Sequence, residues 1–180
     1  MLVYAIRIIL WAGIIATGYW IYSIIYEDIK IKENKVRIEE KRRQRMYQIR
    51  DVLAIYKSQK NQYTDNWDEL VRFAKHDSLQ LYKITGDPKD TLNPADTVVT
   101  MISVADSLFK ENKSVIDSLP FVPEPVGVGK KKPKFELVAK SIDYREQKIA
   151  VFEVTDPNPL DDDEPLKMGS LEKPNSTINR

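Results

Sequence analysis

The residues best suited to chemistry in this 180-residue chain are four consecutive acids, Asp161, Asp162, Asp163 and Glu164. They follow Asp156 in a stretch that contains two prolines and an asparagine, as a loop would. Ca²⁺ takes about six to eight oxygen ligands with flexible geometry, and the carboxylates and carbonyls of one loop can supply them. The spacing matches no EF-hand, and a run of acids is more often a solvated loop. These acids therefore predict either a calcium site or a solvated acidic loop.

Nucleophilic and thiol chemistry have little support in the sequence. The chain has no Cys, which excludes disulfides, thiolate metal sites and cysteine nucleophiles. Its one histidine, His76, is close to Ser78, but no G-x-S-x-G turn surrounds that serine. No phosphate-binding glycine loop and no H-E-x-x-H pair is present. We therefore expect no enzymatic activity and no small-molecule substrate, and no cofactor other than the calcium considered above.

The overall charge gives no case for a nucleic-acid partner. The chain carries 28 Lys and Arg against 27 Asp and Glu, a net charge of +1. Its Lys130–Lys132 run lies between a glycine and a proline, which is typical of an exposed linker. Residues 1–60 hold 12 basic and 6 acidic side chains, and residues 61–180 hold the remaining 16 and 21. This asymmetry favours contact with anionic lipid head groups, or self-association of a basic stalk with an acidic head.

The elements that must position these residues begin with the stretch Ile8–Tyr26, which carries no charged side chain. A helix over these residues would be about 28 Å long, close to the roughly 30 Å hydrocarbon core of a bilayer. The run is too long for the apolar region of a signal peptide. The sequence therefore predicts a transmembrane anchor over residues 1–26, with the lipid bilayer as a partner.

Beyond the predicted anchor, the chain has no glycine or proline from Tyr19 to Asp77. This predicts that the helix continues to about Gln59, with residues 27–60 forming a stalk and an amphipathic segment. Met46, Ile49, Leu53 and Tyr56 recur at helical spacing, which indicates one apolar face for a head to pack on. The pattern lasts fewer than two heptads and so gives little support for a coiled coil.

A small head follows over residues 61–171. Tyr63 and Trp67 are expected to close the turn at the end of the stalk, before a short helix capped by Asp65 or Asn66. Residues 86–97 are expected to be a loop, and Thr97–Phe109 is ambiguous between strand and helix. A hairpin is predicted from Phe135–Ile142 and Lys148–Thr155, with a third short strand near Leu166–Leu171. The tail at 172–180 is expected to be disordered. The predicted fold class is α+β: a transmembrane helix, a long stalk helix and a small antiparallel sheet.

This layout resembles that of type IV pilins, and most closely the major pseudopilins of type II secretion. The local match covers Arg42–Leu70, in which Leu53, Tyr56 and Tyr63 follow the pattern L-x-x-Y, six residues, then Y. Phe135-Glu136-Leu137 and Gly169-Ser170-Leu171 are similar to segments of uncharacterised single-pass envelope proteins with a pilin-like layout. The resemblance implies a subunit of a pilus-like, secretion or motility assembly, and calcium bound by a loop of the C-terminal sheet. The chain departs from pilins in lacking a Glu five residues after Gly13 or Gly18, so the prepilin-peptidase motif is absent.

Two orientations and three functional classes remain open at this stage. The resemblance places the head in the periplasm, on a single-pass protein of the inner membrane that contacts other subunits, including copies of itself. The basic residues from Lys30 to Arg45 instead place residues 27–180 in the cytoplasm by the positive-inside rule. The alternatives to a non-catalytic assembly subunit are a cytoplasmic-facing membrane adaptor with a lipid-contacting basic stalk, and a calcium-dependent binding module.

Overall fold

The computed structural model describes residues 2–85, 96–125, 132–160 and 165–179. They form four helices and six strands: α1 (Leu2–Lys60), α2 (Trp67–His76), β1 (Ser78–Thr85), β2 (Asp96–Ser103), α3 (Val104–Leu108), α4 (Val115–Ser118), β3 (Glu136–Tyr144), β4 (Gln147–Thr155), β5 (Lys167–Gly169) and β6 (Ile178–Asn179). The chain divides into two compact units, Met1–Lys41 and Arg42–Arg180. The second unit is called the head below.

Helix α1 runs without a break for 59 residues because no proline interrupts it. It ends where Asn61 takes a positive φ of 58°, a conformation that asparagine tolerates better than most residues. The Asn61 backbone N–H donates to the Lys57 carbonyl at 2.8 Å, which satisfies one of the last carbonyls of the helix. The predicted end near Gln59 is therefore confirmed.

Helix α2 has strong local signals at both ends. The Asn66 side chain caps it by accepting hydrogen bonds from the backbone N–H groups of Asp68 and Glu69. Asp68 and Glu69 lie in the first turn, and Lys75 and His76 lie in the last, as the helix dipole favours. The apolar side of α2 faces the core of the head through Leu70, Phe73 and Ala74.

The larger sheet has the strand order β3-β4-β5-β6 and is antiparallel throughout. Its first hairpin confirms the predicted one, with Glu136 opposite Thr155 and Tyr144 opposite Gln147. The two-residue turn, Arg145–Glu146, has positive φ at both positions, which gives the twist that tight hairpins need. The last strand, β6, comes from the tail at 172–180, where the sequence predicts disorder.

The smaller sheet was only partly predicted from the sequence. Strands β1 and β2 pair over their full length, from Ser78 opposite Ser103 to Thr85 opposite Asp96. Strand β2 begins inside the predicted loop, because Val98–Thr100 favour an extended chain. Strand β2 ends at Ser103, which accepts a hydrogen bond from the Asp106 N–H and so caps α3. The ambiguous segment Thr97–Phe109 is therefore strand up to Ser103 and helix after it.

One apolar core holds the head together. The four predicted contact residues of α1, Met46, Ile49, Leu53 and Tyr56, are all buried in it, and Tyr63 and Trp67 pack against it, as expected. The other members come from α2, from the segment between β2 and β3, and from the larger sheet: Val52, Leu70, Phe73, Ala74, Val104, Ala105, Phe109, Ile116, Leu119, Val122, Phe135, Leu137, Phe152, Val154, Leu166 and Met168. Helix α1 therefore supplies the apolar face on which the rest of the head packs.

The predicted membrane anchor is contradicted by the structure. Among the helices of the described residues, none is both long enough and apolar enough to cross a membrane. The sequence argument rested on the absence of charge over residues 8–26, and absence of charge alone does not establish a membrane span. The transmembrane part of the predicted fold class is therefore wrong, as is the single-pass inner-membrane localisation with a periplasmic head. The lipid partner and the membrane adaptor with a lipid-contacting basic stalk stay predictions. The α+β class with a long helix and small antiparallel sheets stands.

Replacing Leu53 by Asp is expected to unfold the head. Leu53 is fully buried, so the change removes a packed side chain and places a carboxylate in an apolar environment, at a cost of about 4 kcal/mol or more. That cost is a large part of the roughly 5–15 kcal/mol by which most domains are stable. Thermal unfolding of the full chain, followed by near-UV circular dichroism, measures the loss.

The matched control is Ala54→Asp, because Ala54 is the next residue along α1 and is exposed. It should melt close to the unchanged protein. A cooperative transition of unchanged midpoint in Leu53→Asp would contradict the assignment of this face to the core.

Candidate functional site

The largest uncovered apolar surface in the described part of the chain lies on the N-terminal half of α1. We call it the apolar helix surface. Its side chains are between 46% exposed (Tyr26) and 74% exposed (Tyr19). The members are Tyr4, Ile6, Ile9, Leu10, Trp11, Ile14, Ile15, Tyr19, Trp20, Ile21, Tyr22, Tyr26, Ile29, Ile31 and Val36. Single exposed apolar residues are ordinary, but a continuous surface of this extent is a candidate interaction site.

Apolar side chains surround the helix on all sides from Tyr4 to Tyr26. Successive residues of a helix point about 100° apart, so the neighbours Tyr19, Trp20 and Ile21 face three different directions. A helix that is apolar all round is normally an interior helix, since no one of its faces is suited to water. The N-terminal half of α1 thus has the composition of a buried helix and the exposure of a surface one.

Aromatic rings at the end of this surface are ordered by local contacts. Tyr22 and Tyr26 stack one helical turn apart, with ring centroids 5.8 Å apart. The Lys30 ammonium lies 4.8 Å from the centre of the Tyr26 ring, a cation–π contact. Tyrosine side chains combine a broad apolar face with a polar hydroxyl, which is why they are common where a surface is covered by another protein.

A buried arginine, Arg42, stands where the part of α1 that belongs to the head begins. Arg42 is only 1% exposed, and its Nη1 donates to Asp156 Oδ2 at 2.9 Å. The same nitrogen donates to the Asn158 carbonyl, and Nη2 donates to Asn158 Oδ1 and to the Glu124 carbonyl, both at 3.2 Å. The Nε of Arg42 has no hydrogen-bond partner among the described residues. Four acceptors from two loops therefore meet on one guanidinium, and they tie both loops to α1.

Asp156 is the counter-ion in this cluster and also closes the acidic loop. Burial raises the pKa of its carboxyl, while the Asn158 N–H and the Arg42 guanidinium act to lower it. The Asp156 backbone N–H donates to the Leu166 carbonyl at 2.9 Å, so residues on either side of the acidic segment are in contact. Asp156 is thus held by a buried ion pair and a backbone hydrogen bond.

A second polar cluster joins α1 to α2. The Tyr56 hydroxyl donates to Glu69 Oε1 at 2.7 Å, and the Thr64 hydroxyl donates to Glu69 Oε2 at 2.8 Å. These two hydrogen bonds lower the pKa of Glu69. Burial, together with the Glu69 carboxylate, raises the pKa of Tyr56 from 10.0 to about 12. The cluster fixes the turn between α1 and α2. At neutral pH the Tyr56 hydroxyl is protonated and the Glu69 carboxyl is ionised.

The head also has a depression beside the C-terminal segment, about 310 Å³ in volume. The Lys57 ammonium lies 4.9 Å from the centre of the Tyr63 ring, and Tyr63 meets Phe152 edge-to-face at 4.8 Å between centroids. Residues 174–176 form its other wall. The Trp67 indole N–H donates at 3.0 Å to the carbonyl of Phe135, the residue just before β3. Of the two aromatic residues predicted to close the turn, Tyr63 thus contacts β4 and Trp67 contacts the residue that precedes β3.

Of the residues that the sequence singled out for chemistry, the structure describes only some. Asp161, Asp162, Asp163 and Glu164 lie outside the described residues, so the predicted calcium site stays a prediction. In the ranges that the structure describes, no group of three or more His, Asp and Glu side chains is placed to hold a metal ion. His76 is exposed at the end of α2, and the Ser78 carbonyl accepts a hydrogen bond from the Gln59 side chain. Of the lysine run, only Lys132 is described, and it is exposed.

Sequence reasoning missed Arg42 and Asp156. Arg42 stands in the run Lys41–Arg43, where residue type gives no sign of which cation is buried. One signal was present: Arg42 lies four residues before Met46 and seven before Ile49, on the same side of α1 as the core face. Asp156 was the least noticeable acid of its loop because it stands apart from the four consecutive ones.

Comparisons with known proteins give no relative for this chain. No family model, no curated protein and no solved structure matches it.

Replacing Asp156 by Ala is expected to lower the free energy of unfolding of the head by about 3–5 kcal/mol. The reason is that Arg42 would remain buried with its charge uncompensated. The double variant Arg42→Met with Asp156→Leu should recover most of this loss, because two apolar side chains leave no buried charge behind. Urea unfolding of the full chain measures both values. Equal stability of Asp156→Ala and the unchanged protein would contradict the role of the pair.

The Tyr56–Glu69 cluster predicts a dependence of stability on high pH. The pKa of Tyr56 is raised on folding, so its contribution is fully present below about pH 10 and is lost as the pH rises towards 12. Tyr56→Phe should lower the free energy of unfolding by about 1 kcal/mol at neutral pH and should weaken this alkaline loss. The pKa of Glu69 is lowered, so its contribution is present at neutral pH and is lost as the pH falls through its folded value.

The measurement is the free energy of unfolding in urea at a series of pH values. Tyr47→Phe is the control, because Tyr47 is exposed and lies on the same helix. It should retain the full alkaline loss. Identical pH profiles for the unchanged protein and Tyr56→Phe would show that the hydroxyl does not act in this way.

Proposed function

We propose that this chain is a non-catalytic structural subunit that assembles with other protein chains through the N-terminal half of α1. One observation carries the proposal: the apolar helix surface stays exposed in the isolated chain. The largest exposed apolar patch of a soluble monomer is usually a few hundred Å², whereas this surface surrounds several helical turns. Covering it with other protein removes that apolar area from water, which is the main favourable term in association.

The division of the chain supports the same proposal. All members of the core are at or beyond Met46, so the head packs around residues of its own unit. The segment before Arg42 contributes no described residue to that core. Helix α1 is one unbroken element, and its residues before Arg42 carry exposed apolar side chains. This supports a pilin-like subunit that associates through the N-terminal half of its helix.

Association of the full chain tests this function. Sedimentation velocity over a range of protein concentrations should show species larger than the 20.9 kDa monomer. The double variant Ile14→Glu with Trp20→Glu should shift the distribution to monomer, because the new charges would have to be buried between chains.

Met101→Glu is the control, since Met101 is 61% exposed, about the same as Ile14, but lies in β2 of the head. It should associate as the unchanged protein does. A chain that sediments as a monomer at every concentration, alone and when mixed with an extract of its source cells, would contradict the proposal.

A further inference from the structure

Strand β4 of the larger sheet has neighbouring strands on both sides over only part of its length. On one side it pairs with β3 from end to end. On the other side it pairs with β5 over Glu153–Thr155 alone, and the Ser170 N–H adds one further hydrogen bond, to the Phe152 carbonyl at 3.0 Å. Among the described residues, no strand lies on this second side of β4 from Gln147 to Val151. We call this part of the strand the open edge of β4.

The ladder shows which backbone groups point out of the open edge. Asp156 and Phe152 both form backbone hydrogen bonds on the β5 side. Backbone groups alternate in direction along an antiparallel strand, so those of Lys148 and Ala150 point to the same side. The Ala150 carbonyl does accept a hydrogen bond there, from the Lys57 ammonium at 3.4 Å. The Ala150 N–H points to the same side, where no described backbone group accepts it.

The open edge forms one wall of the depression of about 310 Å³ that was described above. Tyr63 lines the depression, and Asn175 and Ser176 belong to another of its walls. Its described lining residues include one cation, Lys57, and no acid. The Lys57 ammonium contacts a backbone carbonyl and the Tyr63 ring, and no carboxylate of the described residues pairs with it. An extended segment placed here would therefore meet backbone hydrogen-bonding groups, polar side chains and a cation without a counter-ion.

We propose that the open edge of β4 binds an extended, acidic segment of another protein chain. The segment adds to the larger sheet as a short strand, accepts a hydrogen bond from the Ala150 N–H and places a carboxylate against the Lys57 ammonium. In strand addition, main-chain hydrogen bonds supply the affinity and the surrounding side chains supply the selectivity. The site uses only residues of the head, so it is a second contact surface beyond the proposed association through α1.

Charge identifies the kind of segment that fits. Lys57 is half-buried, and Lys148, which is exposed, lies on the open edge itself. A second copy that presented the same edge would bring the lysines of the two chains together, and like charges opposite each other disfavour pairing. An Asp or Glu of the added strand would instead form a charge-assisted hydrogen bond with an ammonium group that is already partly removed from water.

The open edge differs from an ordinary edge strand. Strand β3 is an outer strand of the same sheet, and it carries exposed charged side chains of both signs at Glu136, Lys140 and Asp143. Exposed charges of this kind keep edge strands from pairing with other chains. The open edge of β4 lies within a depression next to the Tyr63 and Phe152 rings, and the cation that lines this depression lacks a carboxylate partner among the described residues.

The test uses the full chain and three capped, fluorescently labelled peptides of five residues. The first alternates threonine and valine around a central glutamate, and the second has lysine in place of that glutamate. The third keeps the glutamate but is N-methylated at both neighbouring residues, which prevents strand pairing. Fluorescence anisotropy should show that the glutamate peptide binds about tenfold more tightly than either of the others. It should also slow the hydrogen exchange of residues 147–151 in β4.

Two substitutions of Lys57 test the charge contact. Lys57→Glu should reverse the preference, so that the lysine peptide binds more tightly than the glutamate peptide. Lys57→Met, which keeps a long side chain in the same place, should bind the two peptides equally. Lys140→Glu is the matched control, because Lys140 is an exposed lysine on the neighbouring strand. It should retain the preference for glutamate, and near-UV circular dichroism establishes that each variant is folded.

The outcomes separate this site from the association through α1. Equal binding of the glutamate peptide and its N-methylated form, or no binding of any peptide at about 1 mM, would overturn strand addition. A full preference for glutamate in Lys57→Met would overturn the contact with the Lys57 ammonium. The double variant Ile14→Glu with Trp20→Glu should bind the glutamate peptide as the unchanged chain does. Failure of either proposal therefore leaves the other standing.

Discussion

The head depends on the burial of one face of α1. Met46, Ile49, Leu53 and Tyr56 are nearly or fully excluded from water, and α2 and the larger sheet pack on the core that these residues begin. A strand pair or a ten-residue helix is marginal alone in water, so these short elements need a rigid apolar partner. The C-terminal part of α1 is that partner, and the polar contacts of Arg42 and Tyr56 mark the two ends of its buried face.

The two polar clusters stabilise the head in different ways. The Arg42–Asp156 pair is buried, and its loss would leave a charge that the interior cannot solvate. It ties the loops that contain Glu124 and Asn158 to α1. The Tyr56–Glu69–Thr64 cluster is partly exposed and contributes less, but it fixes the angle at which α2 leaves α1. Both clusters act between elements, not within them, and so they select one packing of the elements.

Helix α1 is buried in the head near its C-terminal end and exposed in its N-terminal half. Its C-terminal part is satisfied inside its own head, whereas its N-terminal half carries aromatic and aliphatic side chains that the isolated chain leaves in water. Hydrophobic burial drives association and folding alike, which is why the exposed half of α1 supports the proposed assembly.

The sequence by itself determined what depends on neighbouring residues. It predicted the unbroken α1, the capped α2, the β3–β4 hairpin and the core face of α1, because helical spacing, caps and alternation act within a few positions of the chain. It also suggested a membrane anchor, which absence of charge alone was not enough to establish. Only the tertiary structure decided the pairing of β1 with β2, the strand formed by the tail, and which arginine is buried. Arg42 and Asp156 are 114 positions apart, and no local pattern records that they meet. A contact between residues so far apart in the sequence depends on how all the elements pack, so it can be read from the tertiary structure and not from local sequence patterns.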